Sequence, residues 1–351
     1  MESARFSSRH GLLVAKALEG SWRKDPAPCE LSRAELVEIA PILLQSGAAA
    51  LVWWRFSQNG ASDYPAEFFQ AYKEQTLEAA VHENDVAETF VMLQQAQLKA
   101  LVVKGWAIAR LYPDPGLRRY SDLDLCVQSK DFASAASLLK TGPAEDVWID
   151  LHEGSASLDY APESDLFDRS VDVAVGDTCV RVPSPEDHLR ILCLHLLRHG
   201  CWRPLWLCDV ALALESRAAD FDWQIFFGND ANRADWLACV LGLAHRLLGA
   251  RVSDTPTAKR AETLPGWLVR SILRRWSRWF NSDYRNNALP SLLSHKGQPM
   301  RLLEDAYFRF DPIRATVEVR GAFSNTPRLP YQLAALARRT PGLLSRILKM
   351  P

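Results

Sequence analysis

The chain has 351 residues, 48% of them hydrophobic and 24% charged, and a formal net charge of −1. That length exceeds one ordinary domain and can bury a large core, while near-neutral charge leaves no global footprint for nucleic acid or an anionic membrane. The N-terminal stretch lacks the apolar run of a secretory h-region, no stretch approaches the roughly 20 apolar residues that span a bilayer, and seven irregularly spaced cysteines fit reduced thiols, so a cytoplasmic protein without a membrane span is expected.

The first hundred residues read as helical. Ser32 with Glu35 three positions on is a capping-box pattern, which starts a helix over 33–40. The apolar stretch from Pro41 to Arg55 reads as a second, buried helix. Phe68, Phe69, Tyr72, Leu77, Val81, Val86, Phe90 and Leu93 give a helical period over 66–98.

Next comes LVVKGWAIARLYPDPGLRRYSDLDLCV, residues 101–127. It reads as an apolar strand, a Lys104-Gly105 turn, a short helix from Trp106 to Leu111, a loop with Arg118 and Arg119, and a strand carrying Asp122-Leu123-Asp124. Side chains on a strand repeat their direction every second residue, so Asp122 and Asp124 share one face and Leu123 and Leu125 the other. Hard carboxylate oxygens on one face suit Mg²⁺, which keeps waters and takes substrate phosphates as further ligands. A glycine opening a helix turns backbone N–H groups toward an anion, and arginines meet phosphate oxygens in a fork.

Residues 131–141 read as a crossover helix, and Val147 to His152 as a strand with Trp148, Asp150 and His152 on one face. Asp150 either completes a metal triad with Asp122 and Asp124 or accepts the proton of an attacking hydroxyl, and His152 binds substrate or orients Asp150. Val171–Val175 and Cys179–Val182 read as a hairpin around Gly176-Asp177. Ser184-Pro185-Glu186-Asp187 is a helix start, with Ser184 as cap. The rest reads as mainly helical, punctuated by Pro256, Pro265, Pro290, Pro299 and Pro312.

His195 and His199, one helical turn apart, either line a substrate cleft with Trp206 or pack a helix interface. A zinc site of Cys193, His195, His199 and Cys201 is disfavoured, because the cysteines leave the histidine face. The role of Asp209 stays open. Residues 326–351 are basic, with Arg328, Arg338, Arg339, Arg346 and Lys349, and read first as a solvated amphipathic helix.

The stretch around Gly105, Asp122-Leu123-Asp124 and Asp150 resembles the nucleotidyltransferase superfamily, whose fold is that of DNA polymerase beta. Val103-Lys104-Gly105, Arg118 to Leu125 and Asp150-Leu151-His152 are similar to the motifs of a bacterial nucleotidyltransferase branch. Trp106 stands where the superfamily usually carries a serine, and Ser121 is the candidate substitute. The resemblance implies an α+β fold: a mixed-sheet catalytic core over 85–183, between an N-terminal helical region (1–84) and a mainly helical C-terminal domain (184–351). It implies an NTP such as ATP as co-substrate, held by Lys104, Gly105, Arg118, Arg119 and Ser121. It further implies two Mg²⁺ ions, or Mn²⁺, on Asp122, Asp124 and Asp150, with His152, His195, His199 and Trp206 toward the substrate. The expected reaction moves a nucleoside monophosphate to a hydroxyl of a small molecule or peptide. The alternatives are a non-catalytic binding module and transfer to tRNA or other RNA, the last disfavoured by the charge.

Overall fold

The computed structural model describes residues 8–156, 158–159, 161–277 and 310–347, with side chains described as far as residue 339. The prolines at 290 and 299, Lys349 and the side chain of Arg346 lie outside those residues.

Four helices come first: α1 (Ser8–Leu18), α2 (Arg33–Ser46), α3 (Ala49–Gln58) and the 30-residue α4 (Ala66–Gln95). The capping box at Ser32 and Glu35 forms as read. The expected break at Pro41 does not occur. Pro41 lies inside α2, where it removes only the bond to the Val37 carbonyl, on a side where Val37 is 55% exposed. The chain turns instead at Gly47, whose left-handed backbone (φ 72°) ends α2.

In α4 the expected apolar stripe holds only in part. Phe68, Val86, Phe90 and Leu93 are buried, but Leu77 and Val81 face solvent. A single face cannot stay buried over this length because α4 serves two cores. Phe68 packs in one, and Val86, Phe90 and Leu93 in another.

The sheet follows: β1 (Ala100–Val102), α5 (Trp106–Ala109), β2 (Leu123–Val127), α6 (Phe132–Leu138) and β3 (Ile149–Glu153). β2 is central, antiparallel to β1 and parallel to β3, with α6 as the crossover. After α7 (Glu163–Asp168), β4 (Val171–Val175) and β5 (Thr178–Val182) form the expected hairpin. One sheet face, with Val102, Leu123, Leu125 and Val127, packs with α4 and the hairpin. The other, with Leu101, Val103 and Cys126, packs on Leu158, Leu166, Phe167 and Ile191.

The remaining helices among the described residues are α8 (Pro185–Arg198), α9 (Pro204–Glu215), α10 (Trp223–Phe227), α11 (Ala231–Leu248), α12 (Ala258–Glu262), α13 (Gly266–Trp276), α14 (Pro312–Glu318) and α15 (Leu329–Ile347). Ser184 caps α8 as expected, accepting from the Asp187 N–H. The N-terminal and C-terminal helices share one core: Leu18, Trp22, Leu36 and Leu51 lie in the same cluster as Leu197, Trp236, Trp276 and Phe323. The architecture is α+β, a small mixed sheet set against a large helical body.

The basic C-terminal segment forms the expected helix with Arg338 exposed, but its arginines also make specific contacts. Arg328 is largely buried, 4.8 Å from the Trp267 ring and 4.2 Å from the Tyr331 ring. Arg338 donates to the Glu318 carbonyl and Arg339 pairs with the Glu318 carboxylate. No helix among the described residues is long and apolar enough to cross a membrane.

Candidate active site

β2 and β3 set the floor of the site. Their parallel register places Asp124 beside Asp150 and Cys126 beside His152. The leucines of β2 are drawn into the core between sheet and α4, which forces Asp124 to the opposite face. His152 Nε2 lies 3.4 Å from Asp124 Oδ1 and 3.4 Å from Asp150 Oδ2. Lys104 Nζ, at the end of β1, lies 2.6 Å from the same Asp124 oxygen.

Asp124 is buried and its carboxyl is nevertheless held below the usual range. Burial opposes ionisation, but the His152 hydrogen bond and the Lys104 charge outweigh it. Asp122, just before the strand, is pushed the other way, by burial first and then by the Asp124 charge. Two neighbouring carboxylates thus differ in character, Asp124 being compensated and Asp122 repelled.

Gly105 turns between β1 and α5 with φ 49° and ψ −110°, a region closed to most side chains. A Cβ there would lie 3.3 Å from the Asp122 carbonyl oxygen and 3.8 Å from Asp124 Oδ2. The glycine therefore lets β1 and the Asp122–Asp124 segment approach each other. Trp106 is buried in the core and leaves the turn without a hydroxyl; Ser121 is exposed on the cleft wall.

These groups open into a cleft of about 310 Å³. Lys104, Gly105, Arg118, Ser121, Asp122, Asp124, Asp150 and His152 line the sheet side, and His195, His199 and Trp206 the helical side. Ring centroids lie 4.4 Å apart for His195 and His199 and 4.4 Å for His195 and Trp206. Burial, then the nearby Lys104 charge, pushes the His195 imidazole well below its usual range, so it is neutral at pH 7.

Arg118 is reached by Asp209 of α9. Arg118 Nη2 donates to Asp209 Oδ2 at 2.8 Å and Nε to Oδ1 at 3.3 Å, and the Tyr112 hydroxyl donates to Oδ1 at 2.9 Å. Arg119, expected at the phosphate, turns away to Glu78 at 3.2 Å and does not line the cleft. Its neighbour on the sequence wins because Arg118 alone can reach the buried carboxylate.

Sequence reading missed Tyr120, Arg198 and Arg203, which also line the cleft. Arg198 follows His195 by three residues on α8, a spacing that could have found it. Nothing local marked Tyr120 or Arg203. Among the described residues, the group that could converge on a metal ion is Asp124, Asp150 and His152, whose ligand atoms lie within 4.8 Å of one another. Cys193 and Cys201 are buried and do not come together with His195 and His199 in a group that could hold a metal ion among the described residues.

A family model described as an uncharacterised nucleotidyltransferase matches residues 35–142 and 143–249. The chain belongs to this nucleotidyltransferase family. The matched residues contain the sheet, the cleft and Asp209. A solved structure of an antigenic nucleotidyltransferase-like protein from Paracoccidioides brasiliensis aligns with 54% of this chain and 93% of its own, at 16% identity and a TM-score of 0.34. No curated protein matches the chain.

The donor set suits a divalent ion. Asp124 and Asp150 offer hard oxygens on adjacent strands, and His152 offers a borderline nitrogen that also accommodates Mn²⁺. Asp122 lies in the same cleft, within reach of the Asp124 and Asp150 charges.

Proposed function

We propose that this chain is a metal-dependent nucleotidyltransferase that moves a nucleoside monophosphate from an NTP to a hydroxyl of a small molecule or peptide. The observation that carries the reading is the register pair Asp124 and Asp150, facing a cleft whose other walls carry Lys104, Arg118, Arg198 and Arg203.

The chemistry follows from charge. The triphosphate enters against Lys104, the Gly105 turn and Arg118, where cations and backbone N–H groups offset its negative charge. His195, His199 and Trp206 offer ring faces to the base. Asp122, Asp124 and Asp150 would hold the divalent ions, Mg²⁺ or Mn²⁺, which supply Lewis-acid stabilisation of the phosphates. Asp150, with a side chain 53% exposed at the outer strand, takes the proton of the acceptor hydroxyl. The hydroxyl oxygen forms a bond to the α-phosphorus, the bond from that phosphorus to the bridging oxygen breaks, and pyrophosphate leaves with the electron pair. His152 orients Asp150 through its 3.4 Å contact.

Isothermal calorimetry with each of the four NTPs, with and without Mg²⁺, tests the first half. Binding that needs Mg²⁺ and vanishes in Asp122→Asn/Asp124→Asn is expected. Pyrophosphate release on adding candidate acceptors tests the second half. A protein carrying Asp124→Asn with full transfer activity would end the proposal.

A further inference from the structure

Trp148 is 73% exposed, the highest value among the large hydrophobic side chains described. An indole this open forgoes a large burial gain. It is not a loose loop residue. Its carbonyl accepts from the Leu123 N–H at 2.8 Å, which fixes it to β2 just before β3 begins. Val147, Ile149 and Leu151 pack against the core between the sheet and α4. Alternation therefore puts Trp148 on the opposite face, with Asp150 and His152. Leu123 pairs with Ile149, so Trp148 stands at the position matching Asp122, about 7 Å along the strand from Asp150.

The sheet order sorts charge across the cleft. Lys104 lies at the β1 end, Arg118 precedes β2, and Arg198 and Arg203 come from the helical side. Beyond β2 the face carries Asp150 and His152, and the open indole stands just outside the residues that line the cleft, two positions before Asp150. An anionic triphosphate is favoured on the first side and disfavoured on the second. The second side is left for the molecule that receives the nucleotide.

We propose that Trp148 is the acceptor subsite: a platform on which a neutral ring lies while a hydroxyl on or beside that ring reaches Asp150. The inference rests on the nucleotidyltransferase reading of the cleft and adds the acceptor class to it. A sugar ring presents a face of C–H groups to an indole, and a phenol presents its own π-face; both share the required uncharged face. An aliphatic alcohol without a ring gains nothing from the platform.

The test is ¹⁹F NMR of protein in which all twelve tryptophans carry 5-fluorotryptophan, the Trp148 line being identified by its absence in Trp148→Phe. The probes are methyl β-glucoside, tyramine and glycerol, each added with and without Mg²⁺ and a non-hydrolysable NTP analogue. Saturable movement of the Trp148 line by a ring probe and none by glycerol is expected. Movement by glucoside alone assigns a sugar, and by tyramine alone a phenol. Trp148→Ala should weaken the responding probe about tenfold or more, read on the remaining lines, while nucleotide affinity stays the same. No movement with either ring probe at tens of millimolar overturns the proposal. So does a nucleotide analogue that shifts the Trp148 line and competes with the ring probes, since the indole would then serve the donor. Failure of the underlying reading looks different: the analogue moves none of the twelve lines, whatever the ring probes do.

Discussion

Asp209, fully buried on α9, holds Arg118 by two hydrogen bonds and receives a third from Tyr112. The helical body thus places a cleft arginine that the sheet region contributes. Breaking a buried pair by removing one partner costs about 3–5 kcal/mol, because the other charge stays buried. Asp209→Ala should lose stability of that order in urea unfolding, and donor affinity with it. Replacing both members by apolar residues, as in Arg118→Met/Asp209→Leu, should recover much of the stability but not the NTP binding. Recovery of NTP binding in the double variant would show that Arg118 is structural only.

A second buried network ties α8 to the segment after β3. Asp187 accepts from Arg169 at 2.8 and 2.9 Å and pairs with Arg190, which also bonds Asp159 at 2.8 and 3.0 Å. Asp187 and Asp159 are buried almost completely. Asp187→Ala should therefore destabilise by several kcal/mol in urea unfolding. Asp165→Ala removes only a half-exposed partner 3.6 Å from Arg169 and should cost less than about 1 kcal/mol. Equal midpoints for the two variants would refute the ranking.

Most of the sheet was legible because local signals agreed. In β2 the alternation of Leu123, Leu125 and Val127 against Asp124 and Cys126 is the two-residue period itself, and Gly105 and Ser184 mark a turn and a cap through their own chemistry. What failed depended on distant partners. Pro41 sits inside α2 because the solvent side of that helix tolerates one missing bond. Arg118 and Arg119 are neighbours of the same type, and only a carboxylate 91 positions away separates their roles. Whether His195 and His199 face a cleft or a helix interface was equally undecidable before α9 brought Trp206 against them.

Gly105→Ala tests how tightly the turn is built. With φ at 49° and ψ at −110° the new side chain is strained whatever the space, and its Cβ would press on the Asp122 carbonyl oxygen at 3.3 Å. Strain of this kind costs about 1–3 kcal/mol. We expect a melting temperature lower by several degrees and, on the proposed function, a larger proportional loss of NTP affinity, since the distortion falls on the turn proposed to receive the triphosphate. Unchanged calorimetric binding in a stably folded variant would separate the turn from the donor site.

His188 sets an acid limit on the fold. It is buried on α8, its Nε2 has no hydrogen-bond partner, and burial, followed by the Arg110 and Arg118 charges, pushes its imidazole down to about 3. The unfolded chain takes up a proton near pH 6.5, whereas the folded chain resists until about pH 3. The unfolded state therefore binds more protons throughout that window. The stability contributed by neutral His188 is complete above about pH 6.5 and is lost as pH falls toward 3, by roughly 1.4 kcal/mol per pH unit at most. His195, also pushed down by burial, adds in the same direction. Urea unfolding of the wild type should weaken steeply between pH 7 and pH 5. His188→Leu removes one such proton without abandoning a hydrogen bond, so its stability should fall less over the same interval, even if it is lower at pH 7. Parallel pH profiles for the two proteins would mean that His188 is protonated in the fold and that another group sets the acid limit.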